Sequence, residues 1–209
     1  MNIKTNIKRL LQYRFCLSRL KELGFEKVYS YTLSEEAGVS PEQVRKDFSH
    51  FGIKGNKKAG YEIDNLIETL DEIFISDEIV NVILVGMGNI GKALSQYKGF
   101  KQVNMNIIAA FDIDPSKQIK SFGIPVYPAE LIPEMIERYK VEVAIIAVPS
   151  LSAQYICDNL ISNGIKGIMN FAPVILKVPK GILVNNINLS NELQSIVHCV
   201  SKKQRESVK

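Results

Sequence analysis

Apolar residues between positions 3 and 23 recur at helical intervals. Ile3, Ile7, Leu10, Leu11, Leu17 and Leu20 share one side, and the run closes on Gly24, which suits the position after a helix. A short extended piece over 27–31 follows. The stretch TLSEEAGVSPEQVRKDFSHFG then predicts two short helices. Ser34 is the expected cap of the first, with Glu35 and Glu36 in its first turn, and Gly38 supplies the turn between them. Ser40 caps the second, with Pro41 at its first position, where a missing N–H costs nothing. Val44, Phe48 and Phe51 fall at i, i+4 and i+7 on that second helix and belong to the core. Gly52, Gly55 and Gly60 in GIKGNKKAGY predict a tight two-stranded hairpin. A further helix over 64–74 carries Leu66, Ile67, Leu70, Ile73 and Phe74 on one face, and residues 76–78 read as a linker.

The pattern then changes. Residues 79–85 (IVNVILV) form a short run rich in β-branched side chains, as expected of a buried strand. Alternating elements follow: a helix over 92–97, a strand over 106–111, a helix over 128–139, a strand over 142–148, a helix over 152–163 and a strand over 167–170. Such alternation implies an α/β fold, a doubly wound parallel sheet with right-handed crossovers. A strand-like 182–187 leads to a terminal helix with Leu189, Leu193, Ile196, Val197 and Val200 on one side. That face invites packing on a second subunit, with packing on its own sheet as the alternative. Three regions are expected: 1–76, 77–187 and 188–209.

Composition adds limits. The chain has 209 residues, 46% apolar and 23% charged, which suits one large domain or two compact ones and excludes extended disorder, collagen and coiled coil. No apolar run reaches the ~18 residues of a membrane span. The basic N-terminus lacks a signal peptide's apolar block, so a cytoplasmic protein is expected. Cys16, Cys157 and Cys199 are scattered, which argues against a disulfide framework and a structural metal site. Charge is uneven. Residues 1–61 hold 12 Lys and Arg against 6 Asp and Glu, whereas residues 62–209 hold 14 against 16. A basic block is the footprint of a nucleic-acid contact, or simply a solvated lysine-rich surface. The order helix, turn, helix, basic glycine-rich hairpin favours the first reading, a winged helix whose second helix enters the major groove of double-stranded DNA. Gln43, Arg45 and Lys46 can address base edges or phosphate there, and Lys54, Lys57 and Lys58 would follow the backbone or minor groove.

The strand over 79–85 runs straight into Gly86-Met87-Gly88-Asn89-Ile90-Gly91. In this G-x-G-x-x-G, Gly86 permits the tight turn, Gly88 the approach of a pyrophosphate and Gly91 the packing of helix on strand. The next strand ends at Asp112, 21 residues after the last glycine, where a carboxylate accepts ribose hydroxyls. A carboxylate repels a 2′-phosphate, so NAD(H) is expected over NADP(H). Asp114 has the alternative role of a turn residue before Pro115. Ala147-Val148-Pro149 and Asn170-Phe171-Ala172-Pro173 stand at strand ends and are candidates for the nicotinamide side, or else loop punctuation by proline. Chemistry for turnover is not evident. His50 and His198 are the two histidines, no nucleophile–base set appears, and little chain follows residue 180. The nucleotide is expected to be read rather than used. The alternative is a small NAD-dependent oxidoreductase with a basic N-terminal extension.

These features together resemble the Rex family of redox-sensing transcriptional repressors. The likeness covers nearly the whole chain and is carried by VRKDFSHFG, GNKKAGY, VGMGNIGKAL, AAFDIDP, IAVPS and GIKGIMNFAPV. It implies a homodimer with an N-terminal winged helix, a C-terminal Rossmann domain and a domain-swapped C-terminal helix, binding a palindromic operator and leaving it when NADH binds. With the motifs above it sets the expected residues. Nucleotide contacts are Gly86, Met87, Gly88, Asn89, Ile90, Gly91, Asp112, Ile113, Ala147, Val148, Pro149, Asn170, Phe171, Ala172 and Pro173. DNA contacts are Arg9, Ser40, Gln43, Arg45, Lys46, Ser49, His50, Lys54, Lys57, Lys58 and Tyr61. Phe15, Tyr97, Asn188 and Leu189 would couple the two functions across the dimer. No metal, membrane or catalytic role is expected. The chain departs from the family pattern at Phe15 (commonly Arg), Asn188 (frequently Asp), Lys58 (Gly) and His50 (Tyr). An ion pair across subunits is therefore absent, a rewired or weakened switch is expected, and operator preference is expected to differ.

Overall fold

The computed structural model describes residues 3–54, 60–74, 78–118 and 123–206. The chain divides into two compact units, 1–76 and 77–209.

The first unit is helical. It comprises α1 (Ile3–Glu22), β1 (Lys27–Val28), α2 (Ser30–Ala37), α3 (Pro41–His50), β2 (Tyr61–Glu62) and α4 (Ile63–Phe74). Leu10, Tyr13 and Leu17 of α1, Leu33 of α2, Val44 and Phe48 of α3 and Ile63 and Leu70 of α4 are buried together. The Tyr13 ring meets Phe48 edge-on, and Phe48 meets Tyr61 likewise. Ser40 caps α3 as expected, its Oγ accepting the Gln43 N–H at 3.2 Å, and Gly38 closes α2 in the left-handed conformation. Two expectations fail. Ser34 is no cap: α2 starts four residues earlier, and the buried Ser34 hydroxyl donates to the Tyr31 carbonyl one turn back. The strand expected over 27–31 stops at Val28. Its partner is β2, in antiparallel register Val28 to Tyr61, so the two-stranded ribbon joins the start of this segment to the far end of the glycine-rich one. The expected tip residues Gly55, Lys57 and Lys58 lie outside the described residues, as do residues 76–77 of the expected linker.

The second unit is the expected α/β sheet. Six parallel strands stand in the order β5-β4-β3-β6-β7-β8: β3 (Val80–Val85), β4 (Met105–Phe111), β5 (Val126–Tyr127), β6 (Val143–Ile146), β7 (Gly167–Asn170) and β8 (Leu183–Asn186). Helices α5 (Asn89–Ser95), α6 (Ile132–Tyr139) and α7 (Ser150–Ser162) connect them. Ile83, Val85, Ala109, Phe111, Ala144 and Ile146 form one apolar layer, and Val82, Leu84, Ile107, Ala110 and Ile145 the other. The β3–β4 register slips once: Val82 pairs Ile107 but Ile83 pairs Ala109, leaving Ile108 as an extra residue. β5 was not foreseen, being two residues long. The glycine loop opens a helix at Asn89 rather than at 92. α8 (Leu189–Glu206) ends the unit, and Leu189, Leu193, Ile196, Val197 and Val200 are each more than half exposed. The chain's own sheet therefore leaves that apolar face uncovered. No described helix is long and apolar enough to cross a membrane.

Candidate nucleotide and nucleic-acid sites

The three loop glycines are separable by what a side chain would meet. A Cβ on Gly91 would lie 1.9 Å from the Gly86 carbonyl oxygen, and one on Gly86, at φ +100°, would lie 2.4 Å from that of Ala147. Both positions need glycine for the fold. Gly88 differs: nothing lies within 4 Å of its missing Cβ, and its φ is an ordinary −71°. No protein atom excludes a side chain there. The space above Gly88 belongs to a cavity of about 330 Å³ walled by Val85, Asp112, Ile113, Ala147, Val148 and Pro149 among others. An adenine dinucleotide fits this donor set, with backbone and open space at Gly88 for pyrophosphate and a carboxylate for ribose.

Asp112 ends β4 and is 8% exposed. Its Oδ2 accepts the Met87 N–H at 2.7 Å, and its Oδ1 accepts the Asp114 N–H at 2.9 Å. The carboxylate thus ties the glycine loop to the end of β4 before any ligand arrives. Met87 takes a structural role: its side chain is fully buried between sheet residues and its N–H serves Asp112. Asn89 and Ile90 are exposed on α5 but outside the cavity wall, whereas Ile113 is on it. Asp114 is a turn residue. Its Oδ1 accepts the Ser116 N–H and hydroxyl, which holds its carboxyl below the usual range. Sequence reasoning missed Lys117, which this turn brings back into the cavity, its Nζ 3.4 Å from Asp112 Oδ2. The Asp-x-Asp-Pro-x-Lys spacing was the available signal, since a turn at Asp114-Pro115 reverses the chain.

The two candidate strand ends part company. Ala147, Val148 and Pro149 wall the cavity. Asn170 does not, and it is fully buried. Its Nδ2 donates to the Val174 carbonyl and Asn186 Oδ1, both at 2.8 Å, and to the Ala172 carbonyl at 3.3 Å, while its Oδ1 accepts the Ala172 N–H at 2.9 Å. With its amide committed in this way, Asn170 shapes the loop holding Phe171, Ala172 and Pro173. Ala172 is buried in the sheet core, and none of the four lines the cavity.

On the first unit, Arg45, Lys46, Ser49 and His50 share the exposed side of α3, opposite Val44 and Phe48. Arg45 reaches Ser30 Oγ and Glu42 on the surface, contacts that water or phosphate can replace. Lys54 is exposed beyond the helix. Three expected DNA residues have internal partners. Asp47, fully buried, accepts from Arg9 through both carboxylate oxygens at 2.6 Å, from the Tyr13 hydroxyl at 2.9 Å and from Gln43 Nε2 at 2.7 Å. Arg9 also donates to Asn6. Burial alone would raise the Asp47 pKa, but these donors outweigh it and hold the carboxyl below its usual range. Arg9 and Tyr13 therefore fasten α3 to α1, and Gln43 braces Asp47 from within α3. Tyr61 is half-buried against Phe48, and burial raises its hydroxyl pKa. Of the coupling residues, Phe15 is 72% exposed on α1. Tyr97 is exposed beside Phe100, and Asn188 caps α8 by accepting the Asn191 N–H at 3.1 Å. Leu189 opens the uncovered face of that helix.

Comparison with known proteins follows the same division. A family model described as putative DNA-binding protein N-terminus matches residues 4–49, and one described as CoA binding domain matches residues 77–174. The redox-sensing transcriptional repressor Rex of Limosilactobacillus reuteri is 38% identical, covering 99% of this chain and 97% of its own. This chain belongs to the Rex family. The Rex of Pelotomaculum thermopropionicum is also 38% identical, over 98% of this chain and 96% of its own. Among solved structures, the Rex-family repressor RSP in complex with NAD⁺ and operator DNA superposes with a TM-score of 0.89 at 31% identity, covering 99% of this chain and 96% of that one. RSP in complex with NADH gives 0.88, covering 100% and 99%. Rex membership thus embraces both units, the helical DNA-binding region and the Rossmann-like sheet.

Proposed function

We propose that this chain is a transcriptional repressor that reads the NADH/NAD⁺ balance and releases a palindromic operator when NADH binds. The observation that carries the reading is the open space at Gly88 beside the Asp112 carboxylate, in a chain whose α3 also exposes Arg45 and Lys46. Asp112 would accept the adenosine ribose hydroxyls, and the Gly86–Gly88 backbone would leave room for the pyrophosphate. Ala147, Val148 and Pro149 would face the remaining ring. The reduced nicotinamide is uncharged where the oxidised one is cationic, so an apolar wall favours NADH. Arg45, Lys46, Ser49, His50 and Lys54 would contact DNA, while Arg9 and Tyr13 act through Asp47 to set the angle of α3. Two copies in the cytoplasm, joined through the apolar face of α8, would place two recognition helices on two half-sites.

The reading includes no turnover of the nucleotide. The ionisable residues on the cavity wall, Asp112, Asp114 and Lys117, are close in sequence and sit at its ribose end. For the dimer to switch, NADH must bind one of its geometries more tightly than the other. Fluorescence anisotropy on a palindromic operator at fixed salt, with no nucleotide, NAD⁺ and NADH in turn, tests the whole reading. Selective release by NADH is the expected result. Gly88→Val should keep operator binding and lose the NADH response. Equal loss of both in a folded variant overturns the assignment.

A further inference from the structure

Lys117 occupies the nucleotide cavity beside the Asp112 carboxylate. It closes a short turn begun by Asp114 and Pro115, and its side chain is only one-third exposed. The ammonium lies between two carboxylates, 3.4 Å from Asp112 Oδ2 and 3.7 Å from Asp114 Oδ2. Asp114 is fixed in turn by Ser116. The ribose end of the cavity therefore holds one cation and two anions.

The acceptor places on Asp112 make the arrangement consequential. Two oxygens offer about four lone-pair positions. Oδ2 faces the Met87 N–H and Lys117, and Oδ1 faces the Asp114 N–H. A ribose that donates both hydroxyls to this carboxylate must share it with the Lys117 ammonium. Any 2′ oxygen seated on Asp112 then comes within reach of Nζ. A hydroxyl is served on both sides, donating to the carboxylate and accepting from the ammonium. A 2′-phosphate meets the same ammonium but also two carboxylates, which oppose it.

We propose that Lys117 sets how strongly this site rejects a phosphorylated ribose, by partly cancelling the charge of Asp112 and Asp114. The proposal rests on the nucleotide reading above. Lys117 is a specificity residue: the dinucleotide enters without it, and its charge narrows the distinction between NADH and NADPH that the two carboxylates make. Removing the cation sharpens the rejection, and removing the neighbouring anion at Asp114 relaxes it.

The test is direct titration of the full chain with NADH and with NADPH, followed by the fluorescence of the reduced nicotinamide, at fixed ionic strength. Lys117→Met should raise the Kd ratio of NADPH to NADH by about tenfold, with NADH itself moving less than about threefold. Lys117→Arg, which keeps the charge, should hold the original ratio. Asp114→Asn should lower the ratio by about fivefold. If the unaltered chain binds NADH alone, a gain of NADPH binding in Asp114→Asn supports the proposal and its absence overturns it. An unchanged ratio in Lys117→Met also overturns it, as does equal weakening of both ligands, which would make Lys117 a grip on a part they share. Failure of the unaltered chain to bind either nucleotide removes the nucleotide reading and this proposal together.

Discussion

Among the described residues each unit has one polar side chain that is completely buried, and the two differ in kind. In the helical unit it is Asp47, a carboxylate ringed by donors from Arg9, Tyr13 and Gln43. In the sheet unit it is Asn170, a neutral amide that fastens the loop after β7 to Val174 and Asn186. A charged centre holds its partners through stronger, charge-assisted bonds but depends on ionisation. A neutral one is weaker per bond and indifferent to pH. The contrast suits the proposed roles. The recognition helix must hold its angle against a polyanion, whereas the sheet loop has only to keep its shape.

Exchanging the two chemistries is the strongest way to break this comparison. Asn170→Asp places a carboxylate against the carbonyls of Ala172 and Val174 and should cost about 4 kcal/mol at neutral pH. Its folded pKa would be raised. Stability should therefore be fullest below the unfolded carboxyl pKa and decline as pH rises through the folded value, as denaturant titration at several pH values will show. Asp47→Asn comes next. It keeps the shape of the side chain but leaves Arg9 without a counter-ion, and should cost about 3 kcal/mol in the helical unit. Amide exchange should then accelerate in α1 and α3 while β3, β6 and β7 keep their protection. The smallest effect is in the unaltered chain. Asp47 is held below its ordinary pKa, so its contribution is present above the unfolded value and lost as pH falls through the folded one. Acidification below about pH 4 should weaken the helical unit by about 1 kcal/mol, and Asp47→Asn should abolish that dependence.

How much of this could be read beforehand depended on whether a residue acts through its backbone or its partners. Gly86, Gly91 and Asp112 were legible because turn, packing and strand end follow from spacing alone. The strands and helices of the sheet unit, β5 excepted, were legible in the same way, within a few residues. Arg9 and Gln43 were not, because nothing in a sequence shows that Asp47, 38 residues from Arg9, claims both. Ser34 was misread because a serine at a helix start and one bonded back to the preceding turn have the same letters around them. The bonding of Asn170 was hidden for a related reason. A strand-end asparagine can serve a ligand or its own loop, and the letters around it do not show the four bonds that its side chain makes to the loop and to Asn186.

The slip in register beside Ile108 carries one more consequence. A strand alternates its side chains between two faces, so an extra residue reverses the phase of all that follow. Ile107 belongs to one apolar layer and Ala109 to the other, with Ala110 returning to the first, and Phe111 and Asp112 inherit that shifted phase. Deleting Ile108 would remove no atom of the nucleotide cavity. It would remove the bulge and make Ile107 and Ala109 neighbours on opposite faces, which are the faces they already occupy, so Phe111 and Asp112 would keep their sides and the Met87 N–H would keep its acceptor. β4 thus carries one residue more than its pairing uses, and the carboxylate on which the proposed sensor depends would keep its aim if that residue were lost.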